Sequence, residues 1–221
     1  VTGGAGFIGS NLCEQLLLKG NTVVCLDNFA TGKRKNLEAF QENENFTFIE
    51  GDIRNLEDCL KATKEVDYVL HQAALGSVPR SIKDPITTND VNVNGFLNML
   101  VASRDNNIKR FVYASTVYVN SREGSFYRIS RQASEQMVEE YQINYGLDYT
   151  ILRYGSIYGP RSDEHNGLFR IVQDAIKTGA VRYEGHPESL REYIHVEDVA
   201  LASVVALGED FGRMVLIIHF Q

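Results

Sequence analysis

The sequence predicts an α/β fold: a doubly wound parallel sheet with helices on both faces and a small lobe towards its C-terminal end. Three observations carry this. The stretch VTGGAGFIGS spaces Gly3, Gly6 and Gly9 three apart and runs directly into a helical pattern. From there to Tyr154, short and nearly continuous apolar runs alternate with amphipathic ones, as strands buried between two helical layers require. After Gly155 the alternation loosens around the loop GPRSDEHNG.

Taken in order, each element has its own reason. A chain that leaves a buried strand and turns at once into a helix needs residues without Cβ in the turn. It needs them again where backbone approaches a phosphate and where helix packs on strand. The helix offers unpaired N–H groups and partial positive charge at its start, a site for a pyrophosphate. Phe7, Ile8, Leu12 and Leu16 give it an apolar face. The strand TVVCLD ends in Asp27, about 20 positions beyond the glycines, where an acidic side chain meets adenosine ribose hydroxyls. A polar loop, NFATGKRKN, precedes a short helix near 37–41, and FTFIE (46–50) is a strand carrying Gly51-Asp52-Ile53-Arg54 at its carboxyl end.

A helix at about 56–63 leads to the strand VDYVLH (66–71) and a small-residue turn, His71-Gln72-Ala73-Ala74, open to close approach by a ligand. Pro79 and Pro85 bracket a helix start, and Val91, Val93, Phe96, Leu97 and Leu100 continue as one long helix to about Arg104. KRFVYAS (109–115) is a further strand, Ser125 is placed to cap a helix over 126–145, and Gly146 ends that helix. DYTILRY (148–154) is the sixth strand; a helix over 168–177, a short strand about 181–183 and a helix from about 196 to 207 follow. We divide the chain into 1–154, a dinucleotide-binding domain, and 155–221, a partial substrate lobe with elements returning to the core.

The 221 residues suffice for a large core, and the net charge of −7 argues against nucleic acid as the main partner. No apolar run reaches membrane-spanning length. Cys13, Cys25 and Cys59 are odd in number and lie in apolar patterns, which reads as buried free thiols in a reducing cytoplasm. The chain opens one residue before the glycine turn and stops after the apolar run VLIIHF, so a longer parent protein is expected.

The chemistry is expected at Tyr127 and Arg131, one turn apart on a helix, with Ser115 and Thr116 at the end of the preceding strand. A cation beside a phenol favours the phenolate, as a general base near neutral pH requires. A strand-end hydroxyl holds the substrate oxygen. Without context, Tyr and Arg at this spacing are a surface pair. His195-Val196-Glu197-Asp198 sits at a strand-to-helix turn and reads as a helix start, so no metal site is expected. His71 reads as a hydrogen-bonded core residue, and Lys33-Arg34-Lys35 as a solvated loop.

The sequence resembles the extended short-chain dehydrogenase/reductase family, in its NAD-dependent nucleotide-sugar epimerase/dehydratase branch. The residues that carry this are TGGAGFIGS, LDNFATG, GDIR, HQAA, Asn92-Val93-Asn94-Gly95, YAST-VY, Tyr127-x3-Arg131, LRYGSIYGPR and REYIHVEDVA. They occur in the family's order over nearly all of 1–208. HQAALGSVPRSIKDPITTN is similar to the UDP-N-acetylglucosamine/UDP-N-acetylgalactosamine 4-epimerases in particular, while the second half is similar to another epimerase-like subgroup.

The resemblance implies a Rossmann fold, NAD as cofactor and a UDP-linked nucleotide sugar as substrate, epimerised by transient oxidation at C4. It implies a homodimer paired through helices near 86–104 and 126–145. It assigns Gly3, Gly6 and Gly9 to the NAD diphosphate with the Phe7 and Ile8 amides nearby, Asp27 and Asn28 to the adenosine ribose, and Asp52 and Ile53 to adenine. Ala73, Ala74 and Asn92 line the cofactor, and Tyr127 and Arg131 reach it. Tyr127 is the base and Ser115 or Thr116 the partner hydroxyl. Ser77, Arg80, Ser156, Asn166, Tyr183 and Arg191 surround the nucleotide sugar, with Arg191 at its diphosphate. A β-branched residue at Gly6 is expected to abolish binding.

Three departures stand out: arginine where the family has Tyr-x3-Lys, a short loop between Tyr118 and Tyr127, and Ser156 where many relatives carry Asn. Arginine keeps the charge but is wider and planar. Weakened catalysis is expected, with Arg131→Lys raising turnover. The alternative reading is a dinucleotide-binding relative with little or no turnover, or another NAD-dependent nucleotide-sugar enzyme.

Overall fold

The computed structural model describes residues 1–181, 188 and 192–218. Its strands are β1 (Val23–Asp27), β2 (Phe46–Glu50), β3 (Tyr68–His71), β4 (Arg110–Thr116), β5 (Tyr149–Tyr154), β6 (Ser156–Tyr158), β7 (Tyr193–His195) and β8 (Met214–Ile218). Its α-helices are α1 (Phe7–Leu18), α2 (Leu56–Thr63), α3 (Val78–Lys83), α4 (Pro85–Asn89), α5 (Phe96–Asp105), α6 (Ser125–Tyr145), α7 (Gly167–Thr178) and α8 (Val196–Val205).

The centre of the sheet is a single residue. Thr2 bridges in parallel to Leu26 of β1 and to His71 of β3, so Val1–Thr2 fills the place of a first strand. Around it the strands run β2–β1 on one side and β3–β4–β5–β8 on the other, every pair parallel. The order reverses at Thr2, and the crevice beyond the carboxyl ends of strands at such a switch point is where ligands bind in open α/β sheets.

Alternation along β4 divides the core. Val112 and Ala114 face one layer with Leu12 and Leu16 of α1 and Val199 and Ala200 of α8. Phe111 and Tyr113 face the other with Phe96, Met99 and Leu100 of α5 and Val138 of α6. Fully burying each of the Val, Leu, Met and Phe side chains contributes about 1.5–3 kcal/mol. His71 is a core residue as expected: it is 1 % exposed, its Nδ1 lies 3.0 Å from Thr2 Oγ1, and burial pushes its pKa down to about 3. All three cysteines are free and buried. Among the described residues no helix is long and apolar enough to cross a membrane.

The structure departs from the sequence expectation in three places. Instead of a helix over 37–41, a 3-10 turn at Arg34–Asn36 is followed by further turns. There the Lys33 amide and Asn36 Nδ2 both donate to the Ala5 carbonyl, which pulls the loop onto the glycine turn. The long helix to Arg104 is interrupted by a π-helical turn at Asp90–Gly95. Ser125 does not cap α6; Gly124 (φ +93°) precedes it, Ser125 itself has φ +48°, and the chain reverses through these two left-handed residues. The strand expected at 181–183 lies largely outside the described residues. Beyond β5, β6 pairs in parallel with β7, α8 packs against α1, and β8 extends the main sheet.

Candidate active site

The glycine turn is closely packed by backbone. Gly3 has φ +67°, and a Cβ there would meet the Ala73 backbone at 2.8 Å. A Cβ on Gly9 would lie 2.1 Å from the Gly3 carbonyl oxygen, so α1 packs on the turn with no room for a side chain. Gly6 caps α1 without a side-chain hydrogen bond, and the first turn holds no acidic residue. The amides of Phe7 and Ile8 thus lie in the first turn of α1, where helix N–H groups have no partner within the helix.

Asp27, at the end of β1, is 8 % exposed. Its Oδ2 accepts from the Ala5 amide at 3.0 Å and its Oδ1 from the Phe29 amide at 2.7 Å. Burial holds the Asp27 carboxyl above its ordinary pKa, and the Phe29 and Ala5 amides offset only part of that rise. Asn28 Nδ2 donates to Asp52 Oδ2 at 2.8 Å, and the Arg54 guanidinium on Asp52 holds that carboxyl down at about 2. Together Gly3, Asp27, Asn28, Asp52, Ile53, Ala73 and Ala74 line one open cleft with a cavity volume of about 120 Å³. Seven residues placed on the cofactor by resemblance are thus brought together, spread over the ends of β1, β2 and β3.

Asp27→Ala should narrow the preference against a 2′-phosphorylated dinucleotide by about tenfold, roughly 1.4 kcal/mol, because the repelling carboxylate is gone. The same change should weaken binding of both dinucleotides, since the Ala5 and Phe29 amides lose their acceptor. Fluorescence titration with the two dinucleotides reads both effects, and an unchanged ratio would remove Asp27 from this role.

Tyr127 and Arg131 are not a surface pair. They are 9 % and 6 % exposed, and the guanidinium carbon lies 5.2 Å from the Tyr127 ring centre. Arg131 Nη1 also donates to Tyr113 Oη on β4 at 3.1 Å. The two candidate hydroxyls differ in what they already do. Ser115 Oγ donates to Glu135 Oε1 at 2.5 Å, and Glu135 in turn pairs with Arg153 at 2.6 Å. Thr116 Oγ1 accepts from the Tyr118 amide, and its own proton goes to no described residue.

Several residues expected to touch ligand have other partners. Asn92 is 2 % exposed and fully engaged: its Oδ1 accepts from the Leu75 amide, and its Nδ2 donates to the Leu75 carbonyl and Ser130 Oγ. It therefore rivets the turn after β3 to α6 and is no open cofactor contact. Asn166 caps α7 and donates to the Ile157 carbonyl, and Ser77 caps α3. Arg80 lines the same cleft as Asp27 and Asp52, on the cofactor side of the site. Ser156 is half-buried at the start of β6. Tyr183 and Arg191 lie outside the described residues. His195 caps α8 by accepting from the Glu197 amide, with Glu197 and Asp198 in the first turn, the helix start expected. Sequence reasoning missed Tyr113 and Glu135. Tyr113 shares the face of Ser115 two residues on, and strand alternation is the signal that points both at α6.

The model of the NAD dependent epimerase/dehydratase family matches residues 1–217. A putative UDP-glucose 4-epimerase of Methanocaldococcus jannaschii is 33% identical over 226 residues, covering 94% of this chain and 72% of that protein. The solved UDP-N-acetylglucosamine 4-epimerase from Methanobrevibacter ruminantium, in complex with UDP-N-acetylmuramic acid, superposes with a TM-score of 0.90 at 31% identity, over 99% of this chain and 74% of the other. The Thermus thermophilus UDP-glucose 4-epimerase complex with NAD gives 0.84 at 34% identity, over 99% and 76%.

Proposed function

The chain belongs to the NAD dependent epimerase/dehydratase family, and from that premise we propose that it is an NAD-dependent nucleotide-sugar 4-epimerase acting on a UDP-hexose or UDP-N-acetylhexosamine. The observation that carries this is the buried Tyr127–Arg131 pair on a scaffold whose closely packed glycine turn leads straight into the start of α1. The Phe7 and Ile8 amides hold the NAD diphosphate, and Asp27 and Asn28 hold the adenosine ribose. NAD, when bound, supplies reversible hydride acceptance from C4 of the sugar.

The chain's own groups supply the rest. Tyr127 takes and returns the C4 hydroxyl proton, with the Arg131 guanidinium 5.2 Å from its ring centre. Thr116 is the partner hydroxyl, because its proton remains available to the substrate oxygen while that of Ser115 is held by Glu135. Contacts to the distant nucleotide hold the sugar while its ring presents either face, which is orientation by remote binding.

The division at 154/155 and a homodimer belong to the same reading. Ile129 and Ile143 on α6 are 52 % and 70 % exposed, apolar surface that a second copy would cover. Sedimentation at micromolar concentration tests the dimer. The free, buried thiols suit a reducing cytoplasm.

The deciding experiment offers UDP-glucose, UDP-galactose and their N-acetyl forms to the purified protein. We expect NAD to be retained through purification and one pair to interconvert with no net change in nicotinamide absorbance. Retained NAD without conversion of any sugar would favour the rival reading, a dinucleotide-binding relative with little turnover.

A further inference from the structure

We propose that Tyr113 is a positioning residue: its buried phenol holds one end of the Arg131 guanidinium so that the other end serves Tyr127. The inference rests on Tyr127 being the base. Tyr113 has no exposed surface, and Arg131 Nη1 donates to its Oη at 3.1 Å. The guanidinium carbon is 5.6 Å from the Tyr113 ring centre and 5.2 Å from that of Tyr127, so one cation lies between phenols from two different elements. Arg131 Nε is buried with no partner. A guanidinium free to choose its orientation would turn Nε to an acceptor, because an unpaired buried donor is costly. The Tyr113 bond fixes it in an orientation that leaves Nε unmatched.

Tyr113 is itself well fixed. Its ring lies 4.6 Å from that of Phe96 and 6.1 Å from that of His71. The titratable groups around Arg131 are Tyr113 from β4, Tyr127 from its own helix and His71 from β3. Burial pushes the Tyr113 phenol up and the His71 imidazole down, so both stay neutral beside the guanidinium. An ammonium presents its donors from one point, whereas a planar guanidinium has donors on separate edges and so spans two phenols. On this account the arginine and Tyr113 act as a unit.

Tyr113→Phe keeps the ring and removes only Oη. We expect kcat for UDP-sugar interconversion to fall about tenfold, with the acidic limb of the kcat–pH profile moved up. KM, NAD content and the circular dichroism spectrum should stay as in the parent. In an Arg131→Lys background the compact ammonium does not span to Tyr113, so adding Tyr113→Phe should change kcat by less than about twofold. Unchanged kcat and pH profile in Tyr113→Phe overturn the proposal. So do an equal loss in both backgrounds, or a loss of NAD content or fold, each of which makes Tyr113 merely structural. Where Arg131→Lys proves inactive, the pH profile with Arg131 present decides. Full activity in Tyr127→Phe would sink the assigned base and this inference with it; an inactive Tyr127→Phe beside an unmoved Tyr113→Phe profile sinks the positioning role alone.

Discussion

Gly9→Val should yield a protein that no longer retains NAD and melts well below the parent. A Cβ at Gly9 lies 2.1 Å from the Gly3 carbonyl oxygen and 2.8 Å from Gly4 Cα, both backbone atoms of the turn that receives the diphosphate. No rotamer relieves that clash, so either α1 lifts off the turn or the turn deforms. Overpacking of this kind belongs to the severe class of substitutions, about 3 kcal/mol or more. The glycine spacing points equally to Gly6, but the structure ranks the positions differently. A Cβ on Gly6 meets only the Gly3 oxygen at 3.1 Å, from an extended N-cap backbone with φ −77°, so Gly6→Ala should cost about 1 kcal/mol or less. Thermal melts with NAD content measured on the purified proteins separate the two. A Gly9→Val protein that keeps its NAD and its melting temperature would refute the packing account of the turn.

What the sequence made legible is what its chain encodes locally. The glycines, the helix after them and Asp27 fall within one βαβ unit, so spacing alone places them on one crevice. Roles decided by distant segments were not legible. Asn92 sits at a position the resemblance assigns to the cofactor, yet its amide is claimed by Leu75 and by Ser130, 17 and 38 residues away. Leu37 and Phe40 have helical spacing, but the Ala5 carbonyl, 31 residues from Asn36, draws that loop into turns. A π-helical turn hides in a helical pattern because one extra residue barely disturbs the period over so short a span. The choice between Ser115 and Thr116 stayed open because it depends on which helix covers each face of β4. Alternation puts Ser115 with Tyr113, and α6 brings Glu135 to that face. In each case local pattern names the residue type and tertiary contact decides its use.

Tyr127→Phe should lower turnover by about a thousandfold, roughly 4 kcal/mol of barrier, while leaving NAD bound. The side chain is 9 % exposed, and the substitution removes a single oxygen from a packed ring, so the fold should lose about 1 kcal/mol or less. The ring that remains keeps its face 5.2 Å from the Arg131 guanidinium, and that cation stays anchored on Tyr113. Dinucleotide affinity is expected to rest on the glycine turn, Asp27 and the cleft beside Asp52, whose lining does not include Tyr127. A loss confined to kcat is therefore the signature of a missing proton acceptor. A parallel rise in KM would indicate instead that the phenol only helps to hold the sugar. Thr116→Ala supplies the internal comparison. It removes the other group proposed to meet the C4 oxygen, and with a single neutral hydrogen bond lost it should cost about tenfold to a hundredfold. Ser115→Ala, by contrast, frees Glu135 but touches no proposed substrate atom, so its effect should appear in stability before turnover. Should Ser115→Ala prove the more damaging to kcat, the two hydroxyls exchange roles. Should Tyr127→Phe turn over like the parent, the base lies on another side chain.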